Sequence, residues 1–271
     1  MTRYAQSAGV SSLSIAAVRL ALASIILTPF VSARASVEIR ELSRREFGLC
    51  LAAGAFLAAH FVTWISSLAY TSVASSTALV TSNPIWIGLA SMVLFRERMS
   101  KNLVLAIGIA FIGGMLIFLA DSSIESYDTQ PNPPLGNMLA VIGSLTISGY
   151  LLIGRSLRRR LSLLTYIWLV YTSCAITLVT IALVTKQPLW GFSPTAWTFL
   201  IGLAIGPQLL GHTVFNWALK HVSATVIALA IVGEPIGSAV LALLLLGEGV
   251  PPLKLIGFVA LLTGIYFAAR S

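Results

Sequence analysis

The 271 residues are 57% apolar and 10% charged, with a mean hydropathy of +0.93, whereas a soluble domain carries roughly a quarter charged residues. Apolar runs of roughly 18–25 residues recur from end to end, each long enough to cross a hydrocarbon core of ~30 Å as a helix. A soluble globular protein is excluded, and the formal charge of +8 must be explained within a membrane protein.

Nine spans are expected, in chain order 11–33, 47–70, 74–95, 102–120, 135–154, 162–185, 194–218, 223–246 and 252–269. The first is expected to stay as a membrane helix rather than a cleaved leader, because its basic flank is no more than Arg3. The sizeable polar connections are 34–46 and 121–134. The second, DSSIESYDTQPNPP, is acidic and proline-rich and separates 1–120 from 135–271.

With loops alternating across the membrane, thirteen basic residues fall on one side, among them Arg34, Arg40, Arg44, Arg45 and the Arg155–Arg160 cluster. The other side receives Arg3, Lys186 and Lys254, and Arg19 lies inside a span. This bias places the basic side and the C-terminus in the cytoplasm and the N-terminus outside, as in a multi-pass protein of an inner or plasma membrane. The charge is thereby an orientation signal, and no nucleic acid is expected as a partner. Cys50 and Cys174 have neither disulfide nor metal spacing and read as small core residues.

A shift of 151 residues aligns 47–118 with 198–269 without gaps. It superposes Leu68 on Leu219, Ser72 on Ser223, Pro84 on Pro235, Glu97 on Glu248 and Gly113 on Gly264. Corresponding spans start on opposite sides of the membrane, so the repeat is inverted, a signature of secondary transporters. The second half has five spans and the first has four. The counterpart of 135–154 is missing, and an N-terminal helix is expected to be lacking through truncation or a misplaced start, with a nine-helix variant left open.

Arg19, Leu68–Ser72, Ser82-Asn83-Pro84, Glu97, Asn216-Trp217-Ala218-Leu219, Gly233-Glu234-Pro235 and Gly247-Glu248 together resemble the drug/metabolite transporter superfamily, EamA type. The resemblance covers essentially the whole chain. It implies an all-α integral membrane fold of two inverted repeats, 1–120 with four helices and 135–271 with five, where the family has ten helices and a central cavity between repeats. It also implies export of amino acids, other small metabolites or drugs. Arg96 departs from the pattern where the second half has Gly247.

Glu234 lies near the centre of its span, where a carboxylate costs at least ~2.5 kcal/mol on insertion scales and should face protein or water. Asn83 is its counterpart. Pro84 and Pro235 free backbone carbonyls and are candidate hinges. His60 and Trp64 share a helix face at i and i+4, as do His212 and Asn216, with Gln208 one turn earlier. With Trp86, these form the expected substrate-binding set: His60, Trp64, Asn83, Trp86, Gln208, His212, Asn216 and Glu234.

Each has a plainer alternative: Glu234 pairing with Arg19, the histidines as hydrogen-bonded packing residues, the tryptophans as bulk. Histidine titration leaves proton coupling open. The spacings indicate no metal, and no cofactor is expected. The expected partners are a small-molecule substrate and the lipid bilayer, with a homodimer open. An intramembrane enzyme using His60, His212 and Glu234 lacks a nucleophile or metal motif, and no GxxxxGK[ST] motif is present. A truncated, non-transporting paralogue is the third alternative.

Overall fold

The computed structural model describes residues 1–95, 101–122, 131–221 and 224–269. Glu97 and Ser223 of the repeat match, with most of the 121–134 loop, lie outside the described residues. In order the helices are α1 (Thr2–Ser7), α2 (Ser12–Arg34), α3 (Ser36–Arg40), α4 (Arg44–Tyr70), α5 (Val73–Val80), α6 (Asn83–Phe95) and α7 (Lys101–Ser122). Then come α8 (Pro133–Leu157), α9 (Leu163–Val184), α10 (Pro194–Leu203), α11 (Thr213–His221), α12 (Ala224–Leu246) and α13 (Pro252–Ala269). There is no strand among the described residues. Among the described residues six helical stretches are long and apolar enough to cross a bilayer, and α12 and α13 contribute shorter apolar segments. The protein is a multi-pass, all-α membrane protein.

Local chemistry sets the starts of these helices. Ser11 accepts a hydrogen bond from the Ser14 N–H at α2, and Ser162 accepts one from the Thr165 N–H at α9. The two caps lie 151 residues apart, so the repeat extends to helix termini, where a capping side chain satisfies an otherwise orphaned donor. Ser72 and Ser193 cap α5 and α10 in the same way. At the far end of α12, Gly247 has φ 69 and its N–H bonds to the Leu243 carbonyl while that of Glu248 reaches Ala242. This left-handed cap is cheap only for glycine.

Two expected spans are not plain helices. The 74–95 segment breaks at Thr81-Ser82, because Pro84 offers no N–H and restricts the residue before it. Hydroxyls at the break add to the backbone donors, since the Thr77 and Leu79 carbonyls also accept the Thr81 and Ser82 N–H groups. Thr81 Oγ1 donates to the Thr77 and Ala78 carbonyls at 2.9 and 3.1 Å, and Ser82 Oγ donates to Leu79 O at 2.7 Å. Ser148 Oγ reaches Asn83 O at 3.2 Å. Broken backbone at membrane depth is tolerated where such groups take up the freed carbonyls. The 194–218 segment carries a π-helical stretch, Ala204–His212, around Pro207. The missing proline donor again accounts for the slipped ladder. By contrast, α12 runs unbroken through Pro235.

The chain divides into two compact units. Unit 1 comprises Met1–Ile65 with Gly149–Val222, and unit 2 comprises Ser66–Ser148 with Ser223–Ser271. Each unit draws helices from both repeats. In unit 1, α2 packs along α9: Ser14 Oγ donates to Pro188 O at 2.6 Å, Ser24 and Thr172 hydroxyls meet at 2.6 Å, and Trp168 Nε1 donates to Thr28 Oγ1 at 3.1 Å. Rising numbers on α2 meet falling numbers on α9, so these repeat-equivalent helices are antiparallel.

In unit 2, α7 pairs with its own counterpart α13, again antiparallel. A Cβ on Gly113 would lie 2.3 Å from Leu261 N, one on Gly264 2.5 Å from Ala110 N, and one on Gly257 2.9 Å from Gly113 O. Helices in lipid associate through close packing rather than a hydrophobic drive, which is why small residues line this crossing. Gly108 and Gly206, by contrast, have open space around them, and Gly202 faces only the Met1 side chain. Around the crossing Ala74, Leu79, Ile85, Ile117, Phe258 and Ile265 form an apolar core.

One end of unit 2 is closed by buried polarity. Lys254 Nζ pairs with Asp121 Oδ1, both side chains being at most 2% exposed. Asn137 Nδ2 donates to Asp121 Oδ2 at 2.7 Å, Thr71 Oγ1 donates to Asn137 Oδ1 at 2.9 Å, and Lys254 reaches Ser72 Oγ at 3.3 Å. A buried pair is tolerable when its remaining donors and acceptors are satisfied in this way.

Candidate solute-binding residues

Five of the eight expected residues lie in unit 1, and the structure brings them together. The i, i+4 spacing on α4 stacks His60 on Trp64, with ring centroids 5.6 Å apart and an interplanar angle of 21°. Phe61 bridges to the other repeat-related helix, its ring meeting His212 edge-on at 5.3 Å. Gln208, fully buried in the π-helical stretch, accepts from Arg19 Nε at 3.0 Å. The Arg19 guanidinium lies 4.4 Å from the Phe61 ring centre, a cation–π distance. Arg19 thus has partners within unit 1 for its charge and one of its donors.

Asn216 is buried below this group. It receives the Tyr150 hydroxyl at 2.7 Å, donates to His212 O at 2.8 Å, and its carbonyl takes Arg158 Nε at 3.1 Å. Tyr150, Tyr166 and Tyr171 surround it as fully buried aromatic residues, and Tyr171 OH lies 3.5 Å from Thr213 Oγ1. The tyrosines, Phe61 and Arg158 were not anticipated. Arg158 reads in sequence as one more orientation charge, yet it is 2% exposed and bonded to the carbonyls of Asn216 and Leu161. Nothing in a single RSLRRR run marks which arginine turns inward.

Arg158 also faces Glu38, whose carboxylate accepts from Ser162 and Thr165 at the start of α9. Burial alone would push Glu38 up. The three hydrogen bonds and the nearby guanidinium outweigh it and hold its carboxyl below the usual carboxylate range. Burial pulls Arg158 below the usual guanidinium value.

The other candidates lie in unit 2. Asn83 is 5% exposed and opens α6, its carbonyl engaged by Ser148. Pro84 is buried at the break, and Pro235 is buried within continuous α12. Glu234 is exposed on α12 beside buried Pro235. An exposed carboxylate in the middle of an apolar helix must face water or polar protein surface rather than acyl chains. Trp86 is set apart, lining an apolar cavity of unit 2. Among the described residues no three His, Cys, Asp or Glu side chains converge as metal ligands would.

This arrangement can do two things chemically. It offers hydrogen-bond donors and acceptors at mid-span depth, and it flanks them with aromatic faces that suit an apolar or cationic solute.

Comparison with known proteins agrees in kind. The uncharacterized transporter YyaM of Bacillus subtilis (strain 168) is 24% identical over 207 residues, covering 74% of this chain. The match spans 66% of that relative's own length. A solved crystal structure superposes with a TM-score of 0.65 at 18% identity, covering 97% of this chain and 90% of the other, a likeness of fold alone. The family model described as EamA-like transporter family matches residues 1–119 and again 134–270. Two matches in tandem, over helices that pair antiparallel with their own counterparts, make the chain a member of the EamA-like transporter family.

Proposed function

We propose that the protein is a secondary transporter moving a small metabolite, an amino acid or drug-like solute, by alternating access, in the direction of export. The observation that carries this reading is the antiparallel pairing of repeat-equivalent helices, α2 with α9 and α7 with α13. Inverted repeats with discontinuous helices at mid-span are the architecture on which transporters run. The solute is bound within unit 1, by His60, Trp64, Gln208, His212 and Asn216. Backbone bending at Pro84 and Pro235 accompanies the exchange of access. The basic loops and C-terminus face the cytoplasm, in keeping with the thirteen-to-three bias of basic residues.

Purified protein in liposomes, offered a panel of radiolabelled amino acids and cationic drugs, tests the reading. Saturable solute flux is expected, with His60→Ala and Trp64→Ala reducing it at least tenfold. Imposing a proton gradient tests coupling through His60 and His212. Flux unchanged in both variants would remove the site, and turnover of a solute without net movement would replace transport with catalysis.

A further inference from the structure

We propose that the basic end of unit 1 is a binding surface for anionic phospholipid headgroups, selecting the charged lipids of the leaflet it borders over uncharged ones. Two connections build it: residues 34–46 between α2 and α4, and residues 155–162, from the end of α8 to the start of α9. They are tied to one another, since Glu38 accepts from Ser162 and Thr165 and Arg160 pairs with Glu46 at 2.9 Å. Two arginine runs far apart in sequence become one patch, with Arg34, Arg40, Arg44, Arg45, Arg155 and Arg159 all exposed.

The folded surface is more basic than the sequence that encodes it. Residues 34–46 contain four arginines and three glutamates, a nearly balanced segment. Two of those carboxylates turn inward. Glu38 is held at the start of α9 beside Arg158. Glu46 is buried and accepts the Ser43 N–H and hydroxyl at 3.0 and 2.6 Å. Of the three, Glu41 alone is exposed. None of the six arginines makes an ion pair among the described residues. An orientation signal needs only a composition of basic loops, so it does not account for carboxylates withdrawn from this face.

Position selects lipid as the partner. Arg34 ends α2, Arg44 opens α4 and Arg155 lies in the last turn of α8, so the patch sits where the spans leave the hydrocarbon and meet phosphates. Guanidinium groups match phosphate oxygens in a bidentate fork. Apolar Val37 and Phe47 are 66% and 45% exposed among these arginines, which suits the boundary between headgroups and acyl chains rather than a soluble polyanion. The inverted repeat supplies an internal contrast. At the opposite end of unit 1, Ser14, the counterpart of Thr165, makes the equivalent contact to the Pro188 carbonyl at 2.6 Å. That end has Arg3 and Lys186 as its basic residues. The fold can join its loops without a basic surface, so the surface at the other end answers a partner.

Spin-labelled phosphatidylglycerol and phosphatidylcholine test this, by the share of each that the full-length protein immobilises in phosphatidylcholine liposomes. Electron paramagnetic resonance should show phosphatidylglycerol associating about fivefold more strongly in about 0.05 M salt. Raising the salt to about 0.5 M should bring the ratio towards one, because exposed charges are then screened. Arg40→Gln with Arg159→Gln should lower the ratio by about twofold or more. Lys186→Gln, at the opposite end, should leave it unchanged. Inorganic phosphate and glycerol phosphate at matched ionic strength should leave the immobilised share of phosphatidylglycerol as it was.

Equal association of the two lipids at low salt, or a ratio indifferent to salt, would overturn the proposal. A loss in Lys186→Gln matching that of the arginine variant would also overturn it, by showing diffuse charge rather than this patch. Displacement of phosphatidylglycerol by either soluble phosphate would replace the lipid with a ligand from solution. The salt comparison uses the unaltered protein, so it decides the matter even where a variant fails to reconstitute. Lipid immobilisation is read without solute flux and succeeds or fails independently of transport.

Discussion

Gly113 and Gly264, 151 residues apart, make the same contact twice. Each presents its bare Cα to the backbone of the other's helix, Gly113 against Leu261 and Gly264 against Ala110, and those two partners are themselves 151 residues apart. The crossing of α7 and α13 is therefore locally two-fold, with glycines at the symmetric close points. The inverted repeat seen as letters in the sequence is here a physical contact.

Alanine at either glycine should force the helices apart. Gly113→Ala and Gly264→Ala each place a Cβ within 2.5 Å of backbone nitrogen, which cannot yield as a flexible side chain would. Destabilisation of about 1–3 kcal/mol is expected for each. Gly114→Ala, one residue along and 3.7 Å from the Leu79 side chain, should be near neutral. Thermal unfolding of the detergent-solubilised variants separates the two outcomes, and equal melting temperatures would refute the close crossing.

The buried Asp121–Lys254 pair makes a sharper case. Lys254→Met leaves the Asp121 carboxylate buried with Asn137 and Thr71 but without its cation. Breaking one side of such a pair costs about 3–5 kcal/mol, whereas replacing both partners is near neutral. Asp121→Asn combined with Lys254→Met should recover most of the lost stability. A double variant no better than the single one would show that the pair does not hold this end of unit 2.

The helices were largely legible because each is an apolar run bounded by serine caps and polar turns. Ser11, Ser162 and Ser193 mark starts that periodicity alone places only to within a few residues. The face shared by His60 and Trp64 was legible for a similar reason, since it needs only the i, i+4 geometry of one helix. What escaped is long-range or conditional. Asp121 and Lys254 belong to opposite repeats, and each resembles an ordinary charge at a span end. The π-helical stretch around Pro207 differs from the unbroken helix through Pro235 by packing, not by any local signal. The short helices α1 and α3 sit in polar flanks, where no apolar periodicity marks them. The grouping of helices into units depends on partners from both repeats, which no window of sequence contains.

The break before Pro84 has a prediction of its own. Thr81→Val and Ser82→Ala together remove the hydroxyls that donate to the Thr77, Ala78 and Leu79 carbonyls. The Thr77 and Leu79 carbonyls keep the Thr81 and Ser82 N–H groups, so the loss falls on the Ala78 carbonyl, and a buried acceptor left without its donor costs about 1–3 kcal/mol. The double variant should therefore be destabilised, and combining it with Pro84→Ala should restore much of the loss, since a new N–H can rebuild the ladder. If the rescued protein melts normally but moves solute more slowly, the break serves motion rather than folding. Rescue of neither property would mean that the hydroxyls do not support the break.

Acid should expose the last relationship, that between Glu38 and the start of α9. The Glu38 carboxylate accepts the Ser162 N–H and the hydroxyls of Ser162 and Thr165, where the helix dipole also favours negative charge. Its folded-state pKa is depressed, against an unfolded value of about 4.3. A depressed carboxylate contributes stability that is fully present above the unfolded pKa and is lost as pH falls through the folded one. Glu38→Gln should accordingly melt below the parent at pH 7, and the gap should close as the buffer is taken below about pH 4. Thr165→Val removes one donor to the carboxylate, so in that background the neutral-pH cost of Glu38→Gln should shrink. A gap independent of pH would show that Glu38 acts through packing alone, and a gap that widens in acid would reverse the sign of the linkage.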